Sequence, residues 1–290
     1  MNGNTRIGGK KSAAAAAVDY IILTLALALT LFPLVYTFLG SFKSNMEIMT
    51  DPGAVFPKLP TLGNYRAILN AEGFNVLRLL WNSSYYTLAN VFITVTISAM
   101  AGYVFARGEF PGKKAVFACF TALLFVKTGG LDIYPKMAIL SSLHINQGLG
   151  ALIFMQLFGI PIVNIYLVRG FVKALPRELD EAAEIDGCGF TGIFFRVIMP
   201  LLKPILATIA ILAFQASWND YLMPTIFTAA APEQQTLIVG LMSLQRSDGA
   251  ATSWNLMLAG SVVALLPVLA AYAVGNRFFI SGLSAGAVKG

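Results

Sequence analysis

The chain has 290 residues, 57% of them hydrophobic and 12% charged, against about 25% charged in a soluble domain. With a mean hydropathy of +0.72, that composition excludes a water-soluble enzyme and points to a bilayer. The net charge of +6 invites a nucleic-acid reading, but the basic residues are scattered at the borders of apolar runs with no aromatic-basic groove between them.

Residues 1–17 form a Gly-, Asn-, Lys- and Ala-rich cytoplasmic lead with no core to join. Lys10 and Lys11 precede an apolar run that is too long for a signal peptide and lacks a small-residue cleavage site. A retained first helix is therefore expected from about Asp19 to Gly40, opening a transmembrane domain over 18–280.

About 20 residues at 1.5 Å rise cross about 30 Å of hydrocarbon. Six stretches meet that need: 20–42, 79–106, 115–126 continuing past Lys127, 145–168, 204–219 and 254–276. The third and fifth are the least clean.

The outer segment 41–81 carries breakers at Pro52, Gly53, Pro57 and Pro60, then a helix-compatible run from Leu62 to Leu80. Span three is interrupted by Lys127, Gly129, Gly130, Asp132 and Pro135, and broken backbone at membrane depth is tolerated only against protein or a water cavity. Lys127 stands about 20 Å along that span. It either attracts an anionic sugar or snorkels outward and pairs with Asp132, for which Lys136 also competes at four residues' spacing.

Between spans four and five lies a charged island, 173–203. Pro176 suits a helix start, and Glu178, Asp180 and Glu181 set negative charge against the positive end of the helix. A short helix is expected over 176–186, with Leu175, Leu179, Ala182 and Ala183 on one face, ended by Gly187 in the left-handed conformation. Phe190, Phe194, Val197 and Leu201 then recur at helical spacing toward Pro200 and Pro204. Two readings compete, an interfacial helix pair and a protein-docking surface. Five acids between Glu178 and Asp186 would be repelled by an anionic inner leaflet, which favours docking.

Span five carries Gln215, Trp218, Asn219, Asp220 and Tyr221, the last four about 20 to 25 Å above the inner border. They offer an aromatic platform and hydrogen-bonding groups for a sugar, although aromatic residues are also normal at membrane borders.

Lys and Arg settle an expected orientation. With the N-terminus inside, thirteen of the twenty fall on cytoplasmic segments, so both termini and the island are expected to be cytoplasmic. Cys119 and Cys188 show no metal-ligand spacing and no sign of a disulfide. His144 has no nucleophile or metal partner beside it, and no phosphate-binding G-x-x-x-x-G-K-[ST] occurs. The chain is not expected to be an enzyme or to bind a cofactor.

The island resembles the EAA loop of permease subunits in binding-protein-dependent ABC importers, EAA, three residues, G, nine residues, I-x-L-P. Here Glu181, Ala182, Ala183 and Gly187 are followed by Val197, Met199 and Pro200, two apolar replacements. Gly40 to Lys43 (GSFK), the run from Phe56 to Tyr65, Trp218 with Asn219, and the closing 282–290 are similar to the smaller membrane subunit of maltose-type carbohydrate permeases.

The resemblance implies an all-α membrane protein of about six transmembrane helices, the type I importer permease fold, with the coupling loop between helices 4 and 5. It implies import of an oligosaccharide, acidic or neutral, with a second homologous permease, two ATPase subunits that bind ATP and Mg, and an extracytoplasmic binding protein as partners. On that pattern Glu181, Ala182, Ala183, Asp186, Gly187, Phe190, Phe194 and Pro200 seat in the ATPase. Ser284, Gly286 and Lys289, in the cytoplasmic tail 281–290, reach toward it. The competing reading, an ion-coupled secondary transporter, calls for paired membrane carboxylates, and apart from Asp132 and Asp220 the spans have almost none.

Overall fold

The structure is a computed structural model describing residues 13–70, 75–126, 130–244 and 253–287. Among the described residues it is all-helical, with no strand. The helices run in order as α1 (Ala13–Gly40), α2 (Asn45–Thr50), α3 (Gly63–Asn70), α4 (Val76–Arg107), α5 (Lys113–Leu123), α6 (Ile133–Ser142), α7 (Leu149–Leu157) and α8 (Ile162–Ala174). There follow α9 (Glu178–Ile185), α10 (Phe190–Ile193), a π turn (Phe194–Ile198), α11 (Met199–Leu201), α12 (Lys203–Trp218), α13 (Leu222–Phe227), α14 (Leu237–Leu244) and α15 (Trp254–Ala287).

Among the described residues three helices are long and apolar enough to cross a membrane, or up to five if each of two bent pairs is one span. α1 begins at Ala13, ahead of the expected Asp19, because five consecutive alanines extend it. The run 62–80 is not one helix. α3 ends at Asn70, and Asn75 starts α4 afresh by accepting the Arg78 N–H at 3.0 Å. The expected fourth span is bent by 42° between α7 and α8, where Gly159 and Pro161 interrupt the hydrogen-bond ladder. Span three divides into α5 and α6, too short to pass singly. Lys127 lies outside the described residues.

The chain divides into two compact units, residues 1–70 with 244–263, and 71–243 with 264–290. In the first, the large apolar side chains of α1 from Val18 to Phe38 are exposed, as suits a surface that faces lipid or another chain. Beyond α1 the two sequence motifs fasten to each other. Asn64 donates to the carbonyls of Ser41 (2.7 Å) and Lys43 (2.8 Å), the Thr61 N–H donates to Phe42 O (2.8 Å), and the Ser41 and Tyr65 hydroxyls bond at 2.7 Å.

Lys43 is fully buried, with its ammonium donating to Ala54 O and lying 5.8 Å from the Tyr36 ring centre. Asn255, at the start of α15, donates to Asn64 Oδ1 at 2.7 Å. A side chain at Gly40 would come within 2.7 Å of Leu258 Cδ1, so the glycine lets α15 approach.

In the second unit α4 is the axis, packed against α7, α8 and α12. Gly102 permits the close α4–α8 contact, since a Cβ there would stand 2.6 Å from Val168 Cβ. α12 ends in Trp218, which is 3% exposed, stacks on Phe214 (5.5 Å between centroids) and donates from Nε1 to Ala264 O at 3.2 Å.

Candidate functional site

The island folds as expected in outline and differs in register. α9 occupies Glu178–Ile185, and Gly187 follows at φ +82°. The Gly187 N–H donates to Glu184 O and the Cys188 N–H to Ala183 O, both at 2.9 Å. These two bonds satisfy carbonyls that the helix end would leave open.

Ala182 and Ala183 do not share a face. Ala183 is buried among Ala99, Tyr103, Ala106, Val168 and Val172, whereas Ala182 is exposed with Glu181, Asp186 and Ile185, the last 87% exposed. One alanine lets α9 sit close to the bundle, and its neighbour keeps the outer surface low.

The expected second stripe is also shifted. The buried positions are Ile193, Phe194, Ile198 and Leu202, while Phe190 and Leu201 are exposed. The cause is the π turn, closed by the Met199 N–H on Phe194 O, which inserts an extra residue and rotates all that follows. A 76° bend then separates this helical stretch from α12. Pro200 and Pro204 supply no N–H to the ladder there.

The end of α4 holds the loop in place. Arg107 Nε pairs with Asp180 Oδ2 at 2.9 Å, with the side chains 9% and 15% exposed, and the guanidinium also donates to Leu175 O (2.9 Å) and Pro176 O (3.4 Å). Tyr103 donates to Phe190 O at 3.3 Å, and its ring lies 4.6 Å from that of Phe190 and 5.1 Å from that of Phe194. Thus Ala183 and Phe194 anchor the loop and Gly187 turns it. Glu181, Ala182, Asp186, Phe190 and Pro200 are presented outward.

Farther along α4 the same helix lines a cavity of about 420 Å³. Tyr86, Asn90 and Thr94 enter from α4, Gln156 from α7, Asn164 from α8, Ser217 from the end of α12 and Asp220 from the link between α12 and α13. Tyr86 donates to Asp220 Oδ2 at 2.9 Å, and Gln156 Nε2 donates to Thr94 Oγ1 at 3.2 Å. Asp220 Oδ1 also accepts the Met223 N–H at 3.4 Å and so starts α13.

Of the span-five candidates only Asp220 lines this cavity. Trp218 is turned into helix packing, Gln215 and Asn219 are exposed, and Tyr221 is not among the lining residues. Sequence reasoning treated α4 as plain apolar length and missed Tyr86, Asn90 and Thr94. Their four-residue spacing within an apolar run was the available signal.

The backbone of α15 runs to Ala287, so Ser284 and Gly286 stand on its last turns, and Lys289 lies outside the described residues.

Residues 20–279 match the family model described as the binding-protein-dependent transport system inner membrane component. The chain belongs to this permease family.

Among its relatives, the inner membrane ABC transporter permease protein YcjP of Escherichia coli K12 is 31% identical over 93% of this chain and 95% of its own. The arabinooligosaccharides transport system permease protein AraQ of Bacillus subtilis 168 is 32% identical over 90% and 92%. The maltodextrin transport system permease protein MdxG of the same organism is 32% identical over 93% and 95%. A crystal structure of a bacterial ABC transporter involved in the import of the acidic polysaccharide alginate contains a chain that superposes with a TM-score of 0.81 at 20% identity. That match covers 95% of this permease and 100% of that chain, and it shows a shared fold. The permease is a multi-pass component of the inner membrane and a transport subunit rather than an enzyme.

Proposed function

We propose that this permease passes an oligosaccharide inward, delivered by an extracytoplasmic binding protein and driven by two ATPase subunits that bind ATP and Mg on their own chains. A second, homologous permease completes the pathway. Both termini and α9 face the cytoplasm, in keeping with the distribution of Lys and Arg. The tail around Ser284, Gly286 and Lys289 reaches toward the ATPases. The names of AraQ and MdxG support an oligosaccharide as cargo.

The observation that carries the reading is the build of the loop. Its inner face is fixed to α4 and α8 through Ala183, Arg107 and Tyr103, and its outer face offers Glu181, Ala182, Asp186 and an exposed Ile185. A rigid knob of that kind transmits the motion of whatever cleft grips it. From Arg107 to Tyr86 the helix spans 21 residues, about 32 Å, so one rod joins the gripped loop to the cavity. ATP-driven closure below would then bias the cavity between inward- and outward-facing arrangements.

The test is to co-express the tagged permease with candidate ATPase and second-permease subunits, and to measure ATP hydrolysis against a panel of oligosaccharides with a candidate binding protein present. Co-purification and sugar-stimulated hydrolysis are expected. An α9 that crosslinks to no nucleotide-hydrolysing subunit would refute the reading.

A further inference from the structure

The α4–α7–α8–α12 cavity has a chemistry of its own. Its polar lining consists of the Asn90, Gln156 and Asn164 carboxamides, the Tyr86, Thr94 and Ser217 hydroxyls and the Asp220 carboxyl, with apolar floor from Leu212 and Ala213. Among the described residues no Lys, Arg or His lines it.

Several of the donors are already used inside the protein. The Tyr86 hydroxyl is given to Asp220 (2.9 Å), the Asn90 amide donates to Tyr86 O (2.9 Å), and the Gln156 amide donates to Thr94 Oγ1 (3.2 Å). The Asn90, Gln156 and Asn164 amide oxygens remain to accept, the Asp220 oxygens keep lone pairs beyond those facing the Tyr86 hydroxyl and the Met223 N–H, and the Asn164 side chain makes no hydrogen bond among the described residues. The nearby ammonium of Lys136 is held by Asp132 at 2.6 Å.

A polar site with spare acceptors suits a ligand rich in donors. An anion entering such a site would lose its hydration without a cation to replace it, beside a carboxyl group. Neutral sugar hydroxyls donate to amide and carboxyl oxygens and keep apolar C–H faces for Leu212 and Ala213.

We propose that this cavity is the permease's own subsite for one ring of a neutral, hydroxyl-rich oligosaccharide, with Asn90, Gln156, Asn164 and Asp220 as its acceptors. It deepens the transport reading above and rests on it. Specificity against acidic sugars then resides partly in this chain and not only in the binding protein or the second permease.

The complete transporter, reconstituted in lipid vesicles with ATP and saturating binding protein, is assayed for uptake of maltotriose, arabinotriose and trigalacturonate. ATP-dependent uptake of a neutral trisaccharide is expected, with trigalacturonate excluded. Asn164→Leu, which forfeits no internal hydrogen bond, is expected to raise the half-saturating concentration roughly five- to tenfold, the loss of about one hydrogen bond to the sugar. Should that variant fail to co-purify with its partners, Ser217→Ala decides instead, with an expected rise of about threefold.

Uptake of trigalacturonate alone, or parental half-saturation in the deciding variant, overturns the subsite while leaving ATP-driven sugar import in place. Absence of both uptake and stimulated hydrolysis for all three sugars removes the transport reading and the subsite together.

Discussion

Gly187 stands at φ +82° with nothing within 4 Å of where a Cβ would be, so backbone strain and not crowding is the obstacle to replacing it. A leucine there incurs about 1–2 kcal/mol and is relieved by tilting α9. Gly187→Leu is expected to insert in the membrane at parental levels, read by immunoblot, yet to lose most sugar-stimulated ATP hydrolysis. Gly187→Asn, which tolerates the left-handed region, is expected to retain it. Arg107 acts at the other side of the loop. Arg107→Ala leaves Asp180 largely enclosed without its partner, a change of about 3–5 kcal/mol for a buried pair, and should lower the unfolding midpoint of the purified assembly in detergent. Arg107→Lys recovers only part of that loss, because a single ammonium cannot reproduce the guanidinium fork across Asp180, Leu175 O and Pro176 O. Equal midpoints for the alanine and lysine variants would show that the fork geometry contributes nothing.

Helix-sized features were read well where one local rule decides them and poorly where packing does. Apolar length gave α1, α4, α12 and α15 to within a few residues at most of their ends, and the cap at Gly187 gave the end of α9. The π turn at Phe194–Ile198 was not legible, because FFRVI has no marker that separates a five-residue turn from an ordinary one. Beyond Phe194, which is buried, the stripe therefore came out one position off, at Ile198 and Leu202. Trp218 was misplaced for a related reason: sequence gives its depth but not its rotation, and an indole near polar neighbours reads equally as sugar platform or as core. The structure makes it core, so Trp218→Phe should lose the bond to Ala264 O, about 1 kcal/mol. Trp218→Ala should lose about 3–5 kcal/mol. If thermal unfolding placed both variants beside the parent, the indole would have no packing role. The polar stripe Tyr86, Asn90, Thr94 shows the opposite failure, a signal present in the letters at four-residue intervals that apolar averaging concealed.

Membership of the permease family was readable from a few dozen residues because the EAA pattern and the GSFK and Phe56–Tyr65 motifs each encode a local fastening that now has a physical account. Orientation rests on charge counting and is open to direct test. In a background with Cys119 and Cys188 replaced by alanine, and without co-expressed ATPase, Lys58→Cys is expected to react with a membrane-impermeant maleimide on intact cells. Ile185→Cys, at 87% exposure in the native residue, should react only in inverted vesicles. The reverse pattern would invert the permease and end the coupling argument. At 32 residues, α4 is about 48 Å long and exceeds a hydrocarbon slab of about 30 Å by about 18 Å. The two headgroup layers take up about 10–15 Å of that excess, so the end of α4 at Arg107 reaches about the headgroup border, and thinner or thicker lipid changes the lean of the helix before it disturbs the grip below. Turnover in liposomes should accordingly vary little with acyl-chain length.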